Sequence, residues 1–235
     1  MKKTSRGLII QRFSYSETSL IVHCFTETEG LKSFLFQGAK KKKGVVLLPL
    51  SPIEFSYYQK DEGQLAKMTD ATLSQSFATI PFDPVKSTVV FFQVEILANV
   101  LHEGVVDKHL FEFLVGELAW LDEHNNLANY PIYWLLEISQ QLGFYPLKTE
   151  ENTTYFDLEN GEFLSYIPSN FTYKSGREVD VLGSLLSLPK DVILNFSLPK
   201  DLRKQVLQLL LVYFKYHIPN FNPTNSLEVI ESIWE

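Results

Sequence analysis

The sequence contains one cysteine, Cys24, among its 235 residues. A single cysteine excludes an internal disulfide, and it excludes a structural zinc site built from four cysteines or from two cysteines and two histidines. A reducing compartment is therefore the simplest setting for this chain.

Long hydrophobic runs are also missing. Only residues 8–10 form an apolar stretch after the basic start, which is too short for a signal peptide. The apolar-rich stretch 206–216 falls short of the ~20 residues that a membrane span requires. We therefore expect a soluble, cytoplasmic protein that makes no use of a membrane.

The common enzyme motifs are absent from the sequence. Gly38 and Gly44 flank four lysines, but five residues separate these glycines and Val45 follows, so the spacing does not fit a phosphate-binding P-loop. No G-x-G-x-x-G or G-x-S-x-G motif occurs. His23 and Cys24 are neighbours on a predicted strand, so they point to opposite faces and cannot share a metal. These absences weaken ATP-dependent, dinucleotide-dependent and hydrolase interpretations.

Basic charge is scarce overall but unevenly distributed. The chain has 21 Lys and Arg against 28 Asp and Glu, a net charge of −7, and that total argues against nucleic acid as a partner. Residues 1–80 nevertheless carry +4, whereas the remainder carries −11. A ligand responds to charge within a Debye length of ~10 Å at 0.1 M salt. The N-terminal part is therefore suited to an anion, and the rest to a basic partner.

The same division separates two kinds of secondary structure. Five short stretches rich in β-branched and aromatic residues predict strands at 7–13, 20–25, 31–36, 53–58 and 66–72. They favour a small closed barrel of the OB type, although a five-stranded SH3-like barrel would give a similar pattern. From Asp83 and Pro84, a predicted helix start, the spacing becomes helical, with further helices at 107–124, 130–142, 200–217 and 226–234.

An Asn160-Gly161 turn between two short apolar stretches predicts a β-hairpin within residues 155–164. The predicted fold class is therefore α+β, with an OB-fold barrel at 1–80 and a mainly helical domain at 81–235. This second domain carries a small hairpin insert at about 147–173.

The strongest local charge is the run Lys40, Lys41, Lys42 and Lys43. It follows a strand on which Lys32, Phe34 and Phe36 alternate onto one face, which is typical of a single-strand nucleic-acid site but equally of a barrel core. The basic and aromatic residues predicted to bind DNA are Arg6, Arg12, Lys32, Phe34, Lys40, Lys41, Lys42, Lys43 and Lys67. Such a site predicts binding that is largely independent of sequence and falls with salt.

A second candidate site lies on the last long predicted helix. Arg203 and Lys204 stand beside two apolar rows, which indicate a helix buried on most sides. The alternative is a clamp in which these two cations hold an acidic peptide with an aromatic end.

Several motifs, in their order along the chain, resemble the RecO family of bacterial recombination mediators. They are Gly7-Leu8-Ile9, Tyr15-Ser16-Glu17, Phe25-Thr26, Gly30, Lys32, Gly38-Ala39-Lys40, residues 64–71, Leu142-Gly143-Phe144-Tyr145-Pro146, residues 213–217 and residues 226–229. The resemblance implies an OB-fold domain and a helical domain that bind single- and double-stranded DNA. It also implies annealing of complementary strands and, together with RecR, loading of RecA onto DNA coated by single-stranded-DNA-binding protein.

The resemblance also bears on cofactors and partners. Many members carry a four-cysteine zinc knuckle after the Gly-Phe-Tyr-Pro turn, but residues 147–173 contain no cysteine here. No zinc or other cofactor is therefore expected, and packing of Tyr155, Phe156, Phe163 and Tyr166 is expected to hold the hairpin instead. The family further implies binding of the acidic tail of single-stranded-DNA-binding protein, which we assign to Arg203 and Lys204.

The sequence therefore favours a non-enzymatic factor that binds and anneals DNA. A protein adaptor, with a barrel that binds peptides and not DNA, is the main alternative. A metal-dependent enzyme built on the acid-rich helical part has the least support.

Overall fold

A computed structural model of the chain describes residues 2–39, 47–59, 65–222 and residue 230. The chain divides into two compact units, residues 1–123 and 124–235. The change from strands to helices falls near residue 80, as predicted. The first compact unit nevertheless includes two helices in addition to the barrel, so residue 80 marks a change of structure within that unit.

The first unit is built on a closed barrel of five strands. They are β1 (Lys2–Ser14), β2 (Leu20–Thr26), β3 (Gly30–Phe36), β4 (Pro52–Tyr58) and β5 (Ala66–Leu73). Their order around the barrel is β1-β2-β3-β5-β4, with β3 and β5 parallel and the other pairs antiparallel. The predicted OB-type barrel is thus confirmed. β1 begins earlier than predicted because its polar first residues pair with β4.

Aromatic rings fill the interior of the barrel. The Phe34 ring lies 4.9 Å from that of Phe55 and 5.2 Å from that of Tyr57, both in edge-on geometry. Cys24 is fully buried among the same apolar side chains, and burial raises the pKa of its thiol. This cysteine is therefore a small residue of the barrel core.

A half-buried carboxylate closes one end of the barrel. Glu29, in the β2–β3 turn, accepts hydrogen bonds from the Nζ atoms of Lys3 and Lys32 and from the Tyr57 hydroxyl. Burial opposes ionisation of Glu29, but these hydrogen bonds and the charge of Lys32 outweigh it and lower the pKa to about 2. Burial and the Glu29 charge together raise the pKa of Tyr57. Glu29 therefore holds three strands together while it stays ionised.

Helices α1 (Pro84–Val100) and α2 (Lys108–Glu123) complete the first unit. The Asp83 side chain caps α1 as predicted, because it accepts from the backbone N–H groups of Val85 and Lys86. Near the end of α2, the Asp122 carboxylate accepts from the backbone N–H groups of residues 78–80. Buried Lys86 donates to the Asp122 carbonyl at 2.7 Å. These contacts of Asp122 and Lys86, here called the clasp, hold residues 78–80, which follow the barrel, against α2.

The second unit combines helices with a small sheet. Its helices are α3 (Tyr130–Gln141), α4 (Arg177–Leu185), α5 (Lys190–Asn195) and α6 (Lys200–His217). Strands β6 (Tyr155–Asp157), β7 (Glu162–Leu164) and β8 (Tyr173–Ser175) form a sheet in the order β7-β6-β8. The predicted hairpin is β6–β7, whereas β8, α4 and α5 were not predicted. Most of the predicted helix 226–234 lies outside the described residues.

None of the helices that the structure describes is both long and apolar enough to cross a membrane.

The hydrogen bonds of Glu29 with Lys3, Lys32 and Tyr57 make the stability of the folded protein depend on pH. In the unfolded chain this carboxyl takes up a proton as the pH falls from about 4.5 towards 2, whereas in the folded protein it does not. Its contribution of at most about 3 kcal/mol is therefore present above pH 4.5 and lost as the pH falls through 2. We expect chemical denaturation to show that the stability difference between wild type and Glu29→Gln shrinks between pH 5 and 2. Glu17→Gln, at an exposed position, is the control, and a difference that is constant with pH would contradict the assignment.

Removal of the Asp122 carboxylate leaves the backbone N–H groups of residues 78–80 without their acceptor. Ile80 is buried, so its unsatisfied donor costs about 1–3 kcal/mol, whereas the donors of exposed Ala78 and half-buried Thr79 can turn to water and cost less. We expect Asp122→Ala to lower the free energy of unfolding by about 2–4 kcal/mol, measured by urea denaturation, and Asp70→Ala at an exposed site to change it by less than about 0.5 kcal/mol. Equal effects of the two substitutions would show that the clasp does not stabilise the unit.

Candidate nucleic-acid interface

The alternating residues of β3 share one face, as predicted, but that face is the barrel interior. Phe34 and Phe36 are fully buried, and the direct partner of Phe34 on β2 is Val22, another core residue. The Phe34 ring is therefore out of reach of a nucleic-acid base. Its assignment as a DNA-binding residue is corrected, and the core alternative holds.

Lys32 lies on the same inner face at the end of the barrel that Glu29 closes. Its ammonium group bonds Glu29 and the Gln59 Oε1 atom, the latter at 2.8 Å, and lies 5.4 Å from the centre of the Tyr57 ring. Glu29 neutralises much of its charge. Lys32 therefore stabilises the barrel end in this structure, and its role as a phosphate contact stays a prediction.

Arg6 is also engaged within the first unit. Its Nε donates to Glu27 at 2.9 Å, its second guanidinium nitrogen pairs with Glu112, and its guanidinium carbon lies 5.3 Å from the centre of the Phe111 ring. The hydrogen bond to Glu27 is the main reason that the pKa of Arg6 is raised. Arg6 thus ties β1 to the β2–β3 turn and to α2.

Outside the barrel, cross-strand pairing aligns one row of side chains across all five strands. Each member of this outer row is the direct partner of the next in the strand register. In order they are Lys2 on β1, Tyr58 on β4, Lys67 on β5, Leu35 on β3, Ile21 on β2 and Phe13 at the far end of β1. Direct partners have Cβ atoms about 4.5–5.5 Å apart in antiparallel pairs.

The first three members of the outer row combine positive charge with an exposed aromatic ring. Tyr58 is 46% exposed, and Lys2 and Lys67 are exposed on either side of it. Lys2 also lies 3.7 Å from Asp70, but this ion pair is solvent-exposed and therefore weak. This part of the surface can place cations against phosphates and a ring against a base.

The other predicted basic residues have different positions. Arg12 is exposed near the end of β1, where it pairs with Val22 and so lies on the opposite side of the strand from Phe13. The run Lys40 to Lys43 lies outside the described residues. Ala39, which precedes the run in sequence, belongs to the barrel core. Of the described candidates, Lys67 is the one that the structure places in the outer row.

Sequence reasoning missed Lys2 and Tyr58. The signal for Tyr58 was available, because Phe55 and Tyr57 alternate onto the core face and the next residue must then point outward. Lys2 could not be placed from sequence, because the early start of β1 depends on its pairing with β4.

The candidate cations of the second unit also differ from each other. Arg203 Nε donates to the Asn129 side chain and its terminal nitrogen donates to the Leu198 carbonyl, both at 2.9 Å. Burial lowers the pKa of Arg203. Arg203 therefore joins the start of α6 to the start of α3, whereas the neighbouring Lys204 is exposed.

The cysteine-free insert is held by rings and by one carboxylate. Phe156 stacks on Phe163 at 4.6 Å between ring centres and contacts Tyr213 of α6 at 5.1 Å. Tyr155 packs on Tyr173 of β8. Tyr166, expected to pack here, is exposed instead, so that part of the prediction is wrong.

Buried Asp157 organises the turns around this insert. It accepts hydrogen bonds from the side chains of Asn160 and Asn170. Burial opposes ionisation of Asp157, but these bonds outweigh it and lower its pKa. Gly161 follows with φ of 70°, and a Cβ atom there would collide with the Tyr213 hydroxyl. Across the described part of the chain, no three His, Cys, Asp or Glu side chains are grouped closely enough to hold a metal ion.

Comparison with known proteins places both halves of the chain. Residues 1–77 match the family described as Recombination protein O N terminal, and residues 81–228 match Recombination protein O C terminal. The chain is 30% identical to the DNA repair protein RecO of Flavobacterium psychrophilum and 32% identical to that of Flavobacterium johnsoniae. It is 28% identical to that of Phocaeicola vulgatus, and all three alignments cover both chains in full. The chain therefore belongs to the RecO family of DNA repair and recombination proteins.

Proposed function

We propose that this RecO-family protein binds DNA on its barrel and anneals complementary strands, without catalysing a reaction. The observation that carries this proposal is the outer row, in which exposed Lys2 and Lys67 flank exposed Tyr58. These residues lie in the N-terminal 80 residues, which have a net charge of +4 despite the −7 of the whole chain.

Charge neutralisation supplies the mechanism. Two DNA strands repel each other through their phosphates, and a surface that holds both against lysine side chains reduces that repulsion. Phosphate contacts carry no sequence information. We therefore propose that single- and double-stranded DNA both bind. The sequence specificity of annealing then comes from base pairing between the two strands.

The family also supports a set of proposed protein partners. In this proposal the protein acts in the cytoplasm with RecR and helps to load RecA on DNA coated by single-stranded-DNA-binding protein. The acidic tail of that protein would bind the second unit at Lys204. Arg203 donates hydrogen bonds to the Asn129 side chain and the Leu198 carbonyl, so we assign it the role of positioning the start of α6.

The second candidate function is a protein adaptor that does not contact DNA. It is favoured by the engagement of two barrel cations with carboxylates: Arg6 with Glu27 and Glu112, and Lys32 with Glu29. An adaptor of this kind would not bind a labelled oligonucleotide even at low salt.

Charge reversal in the outer row tests the DNA-binding proposal. The double variant Lys2→Glu/Lys67→Glu should bind a labelled oligonucleotide at least about tenfold more weakly at 50 mM salt, because repulsion replaces attraction at two phosphates. Its plot of log affinity against log salt should be flatter by about 0.7 for each phosphate of a single strand that is no longer neutralised. Fluorescence anisotropy measures both quantities, and strand annealing should slow in parallel.

Lys215→Glu, at an exposed position on α6, is the matched control with unchanged binding. The same assay with Lys40 to Lys43 changed to Glu tests the part of the prediction outside the described residues. Salt-dependent binding that is unchanged in the outer-row variant would exclude this surface as the DNA site.

Lys204 provides a separate test of the partner assignment. Lys204→Glu should weaken binding of an acidic tail peptide of single-stranded-DNA-binding protein, because it replaces attraction with repulsion at an exposed site. Binding of naked DNA should stay within twofold of wild type. Titration calorimetry measures binding of the peptide, and anisotropy measures binding of DNA. A parallel loss of both would contradict the assignment of the peptide to the second unit and of DNA to the barrel.

A further inference from the structure

We propose that Tyr58 stacks on an unpaired base and thereby makes the outer row bind single-stranded nucleic acid more tightly than duplex. This inference rests on the proposed DNA-binding function and adds a residue that distinguishes the two forms of DNA. The lysines of the row cannot do so, because both forms carry phosphates.

The exposure of Tyr58 results from the barrel register. Phe55 and Tyr57 point into the core, and the side chain of Tyr58 leaves the strand on the outer face with 46% of its surface exposed. Tyr57, by contrast, is engaged by Glu29 inside the barrel end. Adjacent tyrosines on β4 therefore have separate roles, one in the core and one at the surface.

An irregularity between β4 and β5 brings a cation beside Tyr58. Ser56 pairs with Asp70, but Tyr57 pairs with Met68, so Thr69 is an extra residue on β5. In an uninterrupted register Tyr58 would face Met68, which belongs to the core. The bulge instead places exposed Lys67 opposite Tyr58, which is the kind of re-aiming that β-bulges produce.

A second cation lies on the other side of the same ring. Lys2 on β1 is the direct partner of Tyr58 on β4, and neighbouring strands are about 4.8 Å apart. A single strand laid across β1, β4 and β5 would thus meet cation, ring and cation in succession. Single-strand binding proteins combine these two contacts, with phosphates at basic side chains and bases stacked on aromatic rings.

A duplex cannot make the ring contact at the same surface. Its bases are already stacked and paired, and opening one step costs a few kcal/mol. The Tyr58 ring projects from the outside of a barrel, so it meets the sugar-phosphate surface of a duplex and not its bases. Loss of the ring should therefore weaken binding of single strands selectively.

The experiment compares Tyr58→Ser with Tyr58→Phe, which keeps a ring, and with Tyr15→Ser, which removes a 63% exposed tyrosine outside the outer row. Affinities for an oligothymidine and for a duplex of equal length are measured by anisotropy at fixed low salt. Tyr58→Ser should raise the single-strand Kd about 5- to 100-fold and the duplex Kd less than twofold. Tyr58→Phe and Tyr15→Ser should stay near wild type on both.

The outcomes separate this inference from the function on which it rests. A parallel loss on both forms of DNA, or an unchanged single-strand Kd in Tyr58→Ser, overturns the stacking role and leaves DNA binding in place. Failure of the wild-type protein to bind either DNA overturns both proposals. Thermal unfolding of each variant checks the fold, and Tyr58→Leu, which keeps apolar bulk without a stacking ring, replaces Tyr58→Ser if the latter is unstable.

Discussion

Closure of the five-stranded barrel determines which side chains form the core and which reach a ligand. Once β5 pairs in parallel with β3 and antiparallel with β4, each residue of each strand is fixed to the inside or the outside. Phe34, Phe55 and Tyr57 lie inside the barrel and form its core. The outer row, which begins at Lys2, lies outside. A shift of one residue in the pairing of a strand would exchange its inner and outer faces, so that a slip of β4 would expose Phe55 and Tyr57.

The distribution of carboxylates decides which cations remain available to a ligand. Glu27, Glu29 and Glu112 hold Arg6 and Lys32 within the first unit. Net charge, even when counted separately for the N-terminal 80 residues, therefore overstates the basic surface. In the proposed interface Lys2 pairs with Asp70 only weakly, because this ion pair is exposed to solvent.

Local patterns in the sequence were sufficient for much of the fold. Stretches rich in β-branched and aromatic residues located five strands, and Asp83 with Pro84 located the start of α1. Alternation along β3 put Lys32 and Phe34 on one face but could not say that this face is the interior, because that depends on pairing between distant strands. The exposure of Tyr58 required only the phase of β4, whereas its two lysine neighbours depend on the early start of β1 and on the bulge at Thr69.

The most direct test of DNA binding by the outer row is the salt dependence of single-strand affinity in the wild-type protein. Two phosphate contacts, from Lys2 and Lys67, predict that log affinity falls against log salt with a slope of about −1.4 or steeper. Measurable binding at 50 mM salt with such a slope would agree with this role. Absence of binding at that salt, or an affinity that does not change with salt, would contradict it.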